Sequence, residues 1–211
     1  MILVIGGIKG GSGKTTLATN LTVLRSQNNR RVLLIDADEQ RSSSDWADQR
    51  VNLGFETPWT TIQLAGKSVY SEVTKLTKNY DDIIIDTGGR DNSSQRSALT
   101  VADTFLVPFR PKSLDVWTMG KVNFLISEVS IINPKLKCCA VINQADSTGT
   151  DNKDAHEALS ECPDLKCFPL FLGYRKSFSS ATAKGLSVIE IKPADKKAIQ
   201  EITALCDMIY T

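Results

Sequence analysis

Apolar residues in this chain come in short continuous runs and do not alternate with polar ones. Ile2–Ile5, Arg31–Ala37 (RVLLIDA), Asp82–Asp86 (DIIID), Thr104–Pro108 and Lys137–Asn143 are of strand length, with weaker runs at Thr60–Leu64 and Leu165–Leu170. Runs rich in Val, Leu and Ile belong to strands covered on both faces, as in a parallel sheet. The cover lies between them. Leu17, Leu21 and Leu24 recur at helical spacing after the first run, and further helices are predicted over Val69–Thr77, Ser94–Val101, Leu114–Ile132, Asn152–Ser160 and Ala194–Tyr210. This alternation predicts an α/β fold: a doubly wound, mostly parallel sheet with helices on both faces and ligands at the carboxyl ends of its strands. No internal repeat or linker breaks the pattern, so residues 1–211 are expected to form a single domain.

The polar chemistry sits where strands end. KGGSGKTT, Lys9–Thr16, joins the first strand to the first helix, the context that a phosphate-binding loop requires. Gly10, Gly11 and Gly13 lack Cβ atoms, so the backbone on either side of Ser12 can curl and turn its N–H groups inward at a helix N-terminus. A polyphosphate suits that cradle, with Lys14 at the β- and γ-phosphates, the Thr15 hydroxyl on Mg²⁺ and Thr16 on the α-phosphate side. Asp86 closes the strand DIIID and is placed to hold a Mg²⁺-bound water. Gly88 and Gly89 follow it in an adaptable turn, where Gly88 can offer its N–H to the γ-phosphate as a switch. For Arg90 and Asp91 a surface ion pair stands beside a role in that switch turn, with neither preferred. Asp36 and Asp38 end the second strand in DADEQ, and Asp45 or a serine among Ser42, Ser43 and Ser44 is expected to cap the next helix, leaving both acids free.

The common form of the loop has a glycine where this chain has Ile8, and Lys9 stands at its mouth instead. With that lysine the string fits KGGxGK[ST], and the chain resembles the ParA/MinD family of dimeric ATPases with a deviant Walker A loop, closest to small ParA-type DNA partition ATPases. The resemblance implies a P-loop NTPase domain, ATP and Mg²⁺ as cofactors, and a Lys9 that reaches the partner subunit's nucleotide. It makes Asp38 the residue that orients the attacking water and places Asp36 near the metal's outer shell. Gly88 and Gly89 replace the prolines of the family's D-x-P-P. Arg110, Pro111, Ser113 and Asp115, in VPFRPKSLDVW, correspond to the dimer face. Asn143 matches the residue that reads the adenine edge. The tail FPLFLGYRKSFSSATAKGLSVIE resembles the family's R-x-x-F-x-x-A-x-x-x-G-x-x-V-x-E through Arg175, Phe178, Ala181, Gly185, Val188 and Glu190, with the adenine resting on the loop around Pro169 to Gly173.

Composition limits the partners. With 25 basic and 24 acidic residues the formal net charge is +1, so a strong overall nucleic-acid footprint is excluded and DNA binding must come from a local patch. Arg175, Lys176, Lys184, Lys192, Lys196 and Lys197 are the candidate phosphate contacts. No apolar run approaches the roughly 18 residues of a membrane span, and the chain enters its first strand at once, so a cytoplasmic protein without membrane contact is expected. The five cysteines show no metal or disulfide spacing and read as small hydrophobes, and the single histidine, His156, reads as a surface residue. The expected function is ParA-like partition of a plasmid or chromosome: an ATP-bound homodimer on non-specific DNA, nucleoid-associated, released when a centromere-binding ParB-like adaptor stimulates hydrolysis. The alternatives are a MinD-like or cargo-positioning ATPase, or an accessory ATPase of conjugative DNA transfer, which shares the DADE segment.

Overall fold

The computed structural model describes residues 1–111, 116–148 and 150–211. Seven strands form one sheet: β1 (Ile2–Ile5), β2 (Val32–Ala37), β3 (Thr60–Gln63), β4 (Asp82–Thr87), β5 (Thr104–Phe109), β6 (Lys137–Ala145) and β7 (Lys166–Gly173). Their order across the sheet is β3-β2-β4-β1-β5-β6-β7, and every pairing is parallel. The helices are α1 (Lys14–Ser26), α2 (Ser42–Asn52), α3 (Ser68–Leu76), α4 (Ser93–Leu99), α5 (Val116–Ile132), α6 (Asp151–Ser160), α7 (Lys176–Thr182) and α8 (Lys196–Tyr210), with a 3₁₀ turn at Gln27–Asn29.

The continuous apolar runs are explained by two cores. Along β1, Ile2 and Val4 pack on one face while Leu3 and Ile5 pack on the other, and β2 and β4 divide their side chains in the same way. Val69 and Val73 of α3, Leu99 of α4, Val122 and Leu125 of α5 and Leu159 of α6 cover the first face. Leu17 and Leu21 of α1, Trp46 of α2, Phe178 of α7 and Ile202 and Leu205 of α8 cover the second. The mid-strand positions of β2 and β4 are apolar on both faces, so their polar side chains lie at the strand ends: Asp82 opens β4, and Asp36, Asp86 and Thr87 stand at the carboxyl ends.

Three differences from the sequence reading have local causes. β7 continues through Pro169 to Gly173 where a loop was expected. It is an edge strand, and its register against β6 shifts between Ala140 and Ile142, so Pro169 sits where no ladder N–H is required. The short helix α7 falls in the tail segment that gave no periodic signal. No serine or Asp45 side chain caps α2; its N-cap residue is Arg41, in the left-handed conformation at φ 56°, and the cap comes from β2, where Asp36 Oδ2 accepts the Ser44 N–H at 2.7 Å. All five cysteines are free thiols, four of them buried and Cys167 half-buried, as hydrophobic fillers should be.

Candidate nucleotide-binding site

The segment between β1 and α1 curls as its glycines allow. Gly11 and Gly13 take φ of 75° and 88°, the left-handed region that a side chain resists. At Gly13 a Cβ would also lie 2.3 Å from Asn143 Nδ2. That closeness comes from bracing by the end of β6: Asn143 Nδ2 donates to the Ser12 carbonyl at 2.7 Å, and Gln144 Nε2 to the Gly11 carbonyl at 3.0 Å. Both carbonyls are thereby tied to the end of β6, which fixes the curl of the loop. From below, Gly7 N–H is held by Gln95 Oε1 at 2.9 Å. Lys14 is buried at the base of the loop and donates to the Lys9 carbonyl at 2.9 Å. Burial lowers its pKa, while Asp86 and Asp38 act to raise it. A phosphate group would add the countercharge that burial withholds.

Opposite the loop stand the strand-end acids. Asp36 and Asp86 are register partners on β2 and β4, and both are fully buried. Asp86 Oδ2 accepts the Ser43 hydroxyl at 2.5 Å, while Oδ1 is buried without a partner. Burial pushes the Asp86 carboxyl up to about 7, against the hydrogen bonds from Ser43 and Thr15, with Asp36 adding repulsion. An orphaned carboxylate oxygen beside a threonine hydroxyl and a lysine is a donor set that fits a hard divalent cation carrying phosphate oxygens.

Asp36 is engaged differently. Besides Ser44 it accepts the Asp38 N–H at 3.1 Å, so both oxygens hold backbone, and its position makes it a brace for the turn and for α2. Asp38 lies over the cleft, with Oδ1 accepting the Gln40 N–H at 3.1 Å and facing Gly88, where a Cβ would come within 3.1 Å. Gly89 is packed more tightly still: a Cβ there would be 2.7 Å from both N and Cα of Gly10. Close approach to the phosphate-loop backbone therefore requires glycine at 89, while at 88 a side chain would press on the Asp38 carboxylate. Arg90 does not pair with Asp91. Its side chain lines the cleft, while Asp91 binds Arg96 in a bidentate pair at 2.6 and 2.7 Å that also involves Glu128.

Gly10, Gly11, Gly13, Lys14, Thr15, Thr16, Asp38, Gly88 and Gly89 converge on one open cleft of about 710 Å³. A second cavity of about 350 Å³ shares Gly13, Thr16 and Gln144 with it and is walled by Leu17, Asn143, Gly173, Tyr174, Lys176 and Phe178. Its apolar lining and position beyond the loop suit a nucleoside. Pro169 is not part of it: it lies mid-strand in β7, several residues before the Gly173–Lys176 wall. Arg175 is turned to Glu201, which accepts Nε at 3.0 Å and also takes Nη2, so its charge is countered within the chain. Lys176, Lys184, Lys192, Lys196 and Lys197 are exposed. The Arg110 guanidinium stands 3.7–4.0 Å from where a Gly11 Cβ would be, on the outer side of the loop, with Pro111 buried; Ser113 and Asp115 lie outside the described residues.

Sequence reasoning missed Ser43, Gln144 and Gln95 as supports of the site, and Tyr174 and Lys176 as cavity walls. Only Gln144 carried a signal, its place beside Asn143. Among the described residues no helix is long and apolar enough to cross a membrane.

The chain is 26% identical over 217 residues to maintenance of carboxysome distribution protein A of Halothiobacillus neapolitanus, covering 98% of this chain and 95% of that protein. In fold it is similar to an McdA variant of Cyanothece in complex with ATP (TM-score 0.79, 18% identity, 99% and 95% of the two chains). It is similar also to a plasmid partition protein from Borrelia burgdorferi (TM-score 0.71, 20% identity, 99% and 96%). Residues 3–188 match the CobQ/CobB/MinD/ParA nucleotide binding domain, and the chain belongs to that family.

Proposed function

We propose that this chain is a Mg²⁺-dependent ATPase of the ParA type that partitions DNA. The observation that carries the reading is the convergence, on one cleft, of Gly10, Gly11, Gly13, Lys14, Thr15 and Thr16 of the KGGSGKTT loop with Asp38 and the Gly88–Gly89 turn, while Asp86 is buried at the strand end within reach of Thr15 and Lys14. Lys14 and the loop N–H groups bind the phosphates. Asp38, over the cleft, orients the attacking water in line with the γ-phosphate, positioning being what phosphoryl transfer needs most from a protein. Thr15, and Asp86 through a bound water, would hold Mg²⁺, which would supply positive charge to offset that of the phosphates. The cavity behind Asn143 takes the adenine. Gly88, wedged against Asp38, is placed to feel the presence of a γ-phosphate. In this reading Lys9 acts on the nucleotide of a second copy, so ATP joins two chains into a homodimer. The dimer binds non-specific DNA through its exposed lysines and is released on the nucleoid by a ParB-like centromere-binding adaptor.

A second reading is favoured by the near full-length similarity to a carboxysome distribution protein: the same ATP-dependent dimer would position a protein cargo. Both are tested by binding to non-specific duplex DNA in ATP, ADP and no nucleotide, with wild type and Lys9→Ala, at one modest salt concentration. ATP-dependent binding that Lys9→Ala loses supports the dimer on DNA. Binding in no state, with ATP turnover intact, overturns DNA partition.

A further inference from the structure

Ser43 enters the acidic cluster although phosphate-loop chemistry does not account for it. It is the second residue of α2 and is fully buried. A serine in a first helical turn ordinarily faces solvent or bonds nearby backbone. This one sends its single hydroxyl proton across to Asp86, 43 positions later in the chain, at 2.5 Å. The next residue's N–H is taken by Asp36 at 2.7 Å, so α2 is pinned to two neighbouring strand ends at once.

The consequence lies in the carboxylate. Rotation about Cβ–Cγ would exchange the two Asp86 oxygens, and a buried carboxylate with no fixed donor has no preferred face. Ser43 ties Oδ2 in the short contact, with the Thr15 hydroxyl a second group beside the carboxylate, and Oδ1 is left as the buried oxygen without a partner. We propose that Ser43 is a positioning residue for the divalent cation, fixing the Asp86 carboxylate so that one oxygen stays open to the cation's hydration shell. The proposal rests on the reading of Asp86 as the Mg²⁺-side acid. It also makes the helix that follows Asp38 part of the cation site, since the group that orients Asp86 belongs to α2.

The test uses the full chain and a fluorescent, non-hydrolysable ATP analogue, with Mg²⁺ titrated up from excess chelator. Removing a partner that orients a metal ligand typically costs 10–100-fold in metal affinity, so Ser43→Ala should raise the Mg²⁺ midpoint by about 10-fold or more. Affinity for the analogue in chelator should stay within about twofold, because the phosphate cradle is untouched. Ser43→Thr, which keeps the hydroxyl, should return toward the wild-type midpoint. Should Ser43→Ala fail to fold, Ser43→Cys, similar in size but a weak donor, should show the same upward shift. An unchanged midpoint overturns the proposal. So does an affinity loss of equal size with and without Mg²⁺, which would mark a purely structural role. In either case a Mg²⁺-dependent wild type leaves the nucleotide reading standing. Wild-type binding that is indifferent to Mg²⁺ overturns both.

Discussion

Asp86→Asn should stabilise the nucleotide-free protein at alkaline pH, and the effect should fade with acid. The wild-type carboxyl is fully buried and pushed up from 3.8 to about 7, first by burial. Between those values the native state holds a proton that the unfolded chain has released, so this group lowers stability as pH rises. At about 1.4 kcal/mol per unit, the penalty is about 4 kcal/mol at pH 8 and about 2 kcal/mol at pH 5. Asparagine carries no such penalty and can still accept from Ser43, but its new amide donors meet a site built for acceptors, at a cost of roughly 1–3 kcal/mol that does not change with pH. The net gain at pH 8 is therefore about 1–3 kcal/mol, while the change in that gain between pH 8 and pH 5, about 2–3 kcal/mol, is independent of the amide cost. Urea unfolding of both proteins in excess chelator, across that range, measures it. A difference between wild type and variant that is flat with pH would refute the argument that a desolvated carboxylate sits at this strand end. In Mg²⁺ and ATP the order should invert, because the ligands bind only the wild type well and stabilise it by mass action.

Three further outcomes follow from named contacts. Arg41→Gly should raise stability by about 1 kcal/mol, or roughly 2–4 °C in Tm, since Arg41 holds φ 56° with an exposed side chain; an unchanged melting curve would show that the strain is offset locally. Gly89→Ala puts a methyl into the Gly10 backbone and should cut nucleotide affinity by about 10-fold or more at a stability cost of about 1–3 kcal/mol; wild-type affinity in a titration would mean that the loop yields freely. Arg50→Ala should cost about 3 kcal/mol by urea unfolding, because Arg50 is 4% exposed and bonds Glu190, Gly185 O and Glu56 O; a loss under about 1 kcal/mol would show that solvent already serves Glu190.

The fold was legible because burial on both faces leaves its mark in unbroken apolar runs. Ile83, Ile84 and Ile85 point to opposite cores in turn, and each must be apolar. The phosphate loop was legible for a related reason: backbone that must approach a ligand forces glycine, and the lysine and threonine are fixed by charge and chemistry. What was hidden depends on register between elements distant in sequence. Asp36 read as a free acid because nothing in DADEQ tells that β2 and β4 bring it beside Asp86 and beneath the first turn of α2. Asp91 read with Arg90 because adjacency suggested it, yet the next helix offers Arg96 in bidentate geometry. The sequence run placed a strand over Leu165–Leu170, and the loop around Pro169 to Gly173 came only from the resemblance; the irregular register against β6 lets the strand run on through Pro169 to Gly173. Lys184, Lys192, Lys196 and Lys197 are exposed, but exposure alone does not make a patch a binding surface.

The tail motif acquires a physical meaning from what it touches. Phe178, Ala181 and Val188 pack in the core. Gly185, at φ 65°, lets the chain pass Arg50 so closely that a Cβ would sit 2.5 Å from its backbone N, and Glu190 then closes a bidentate pair on the same arginine. Asn20 of α1 accepts the Ser187 hydroxyl and the Val188 N–H while donating to the Thr16 carbonyl, just beyond the phosphate loop. The tail thus fastens α1 and α2 to each other from the side away from the acids. α2 is held towards its far end by Arg50, at its middle by the stack of Trp46 on Trp59, and at its near end by Asp36 and Asp86. A helix pinned at both ends moves as a unit or not at all. Any adjustment of Asp38 to a bound phosphate must therefore be absorbed by Glu39, Gln40 and Arg41, which are exposed, and Arg41 already holds the one left-handed dihedral pair in that turn.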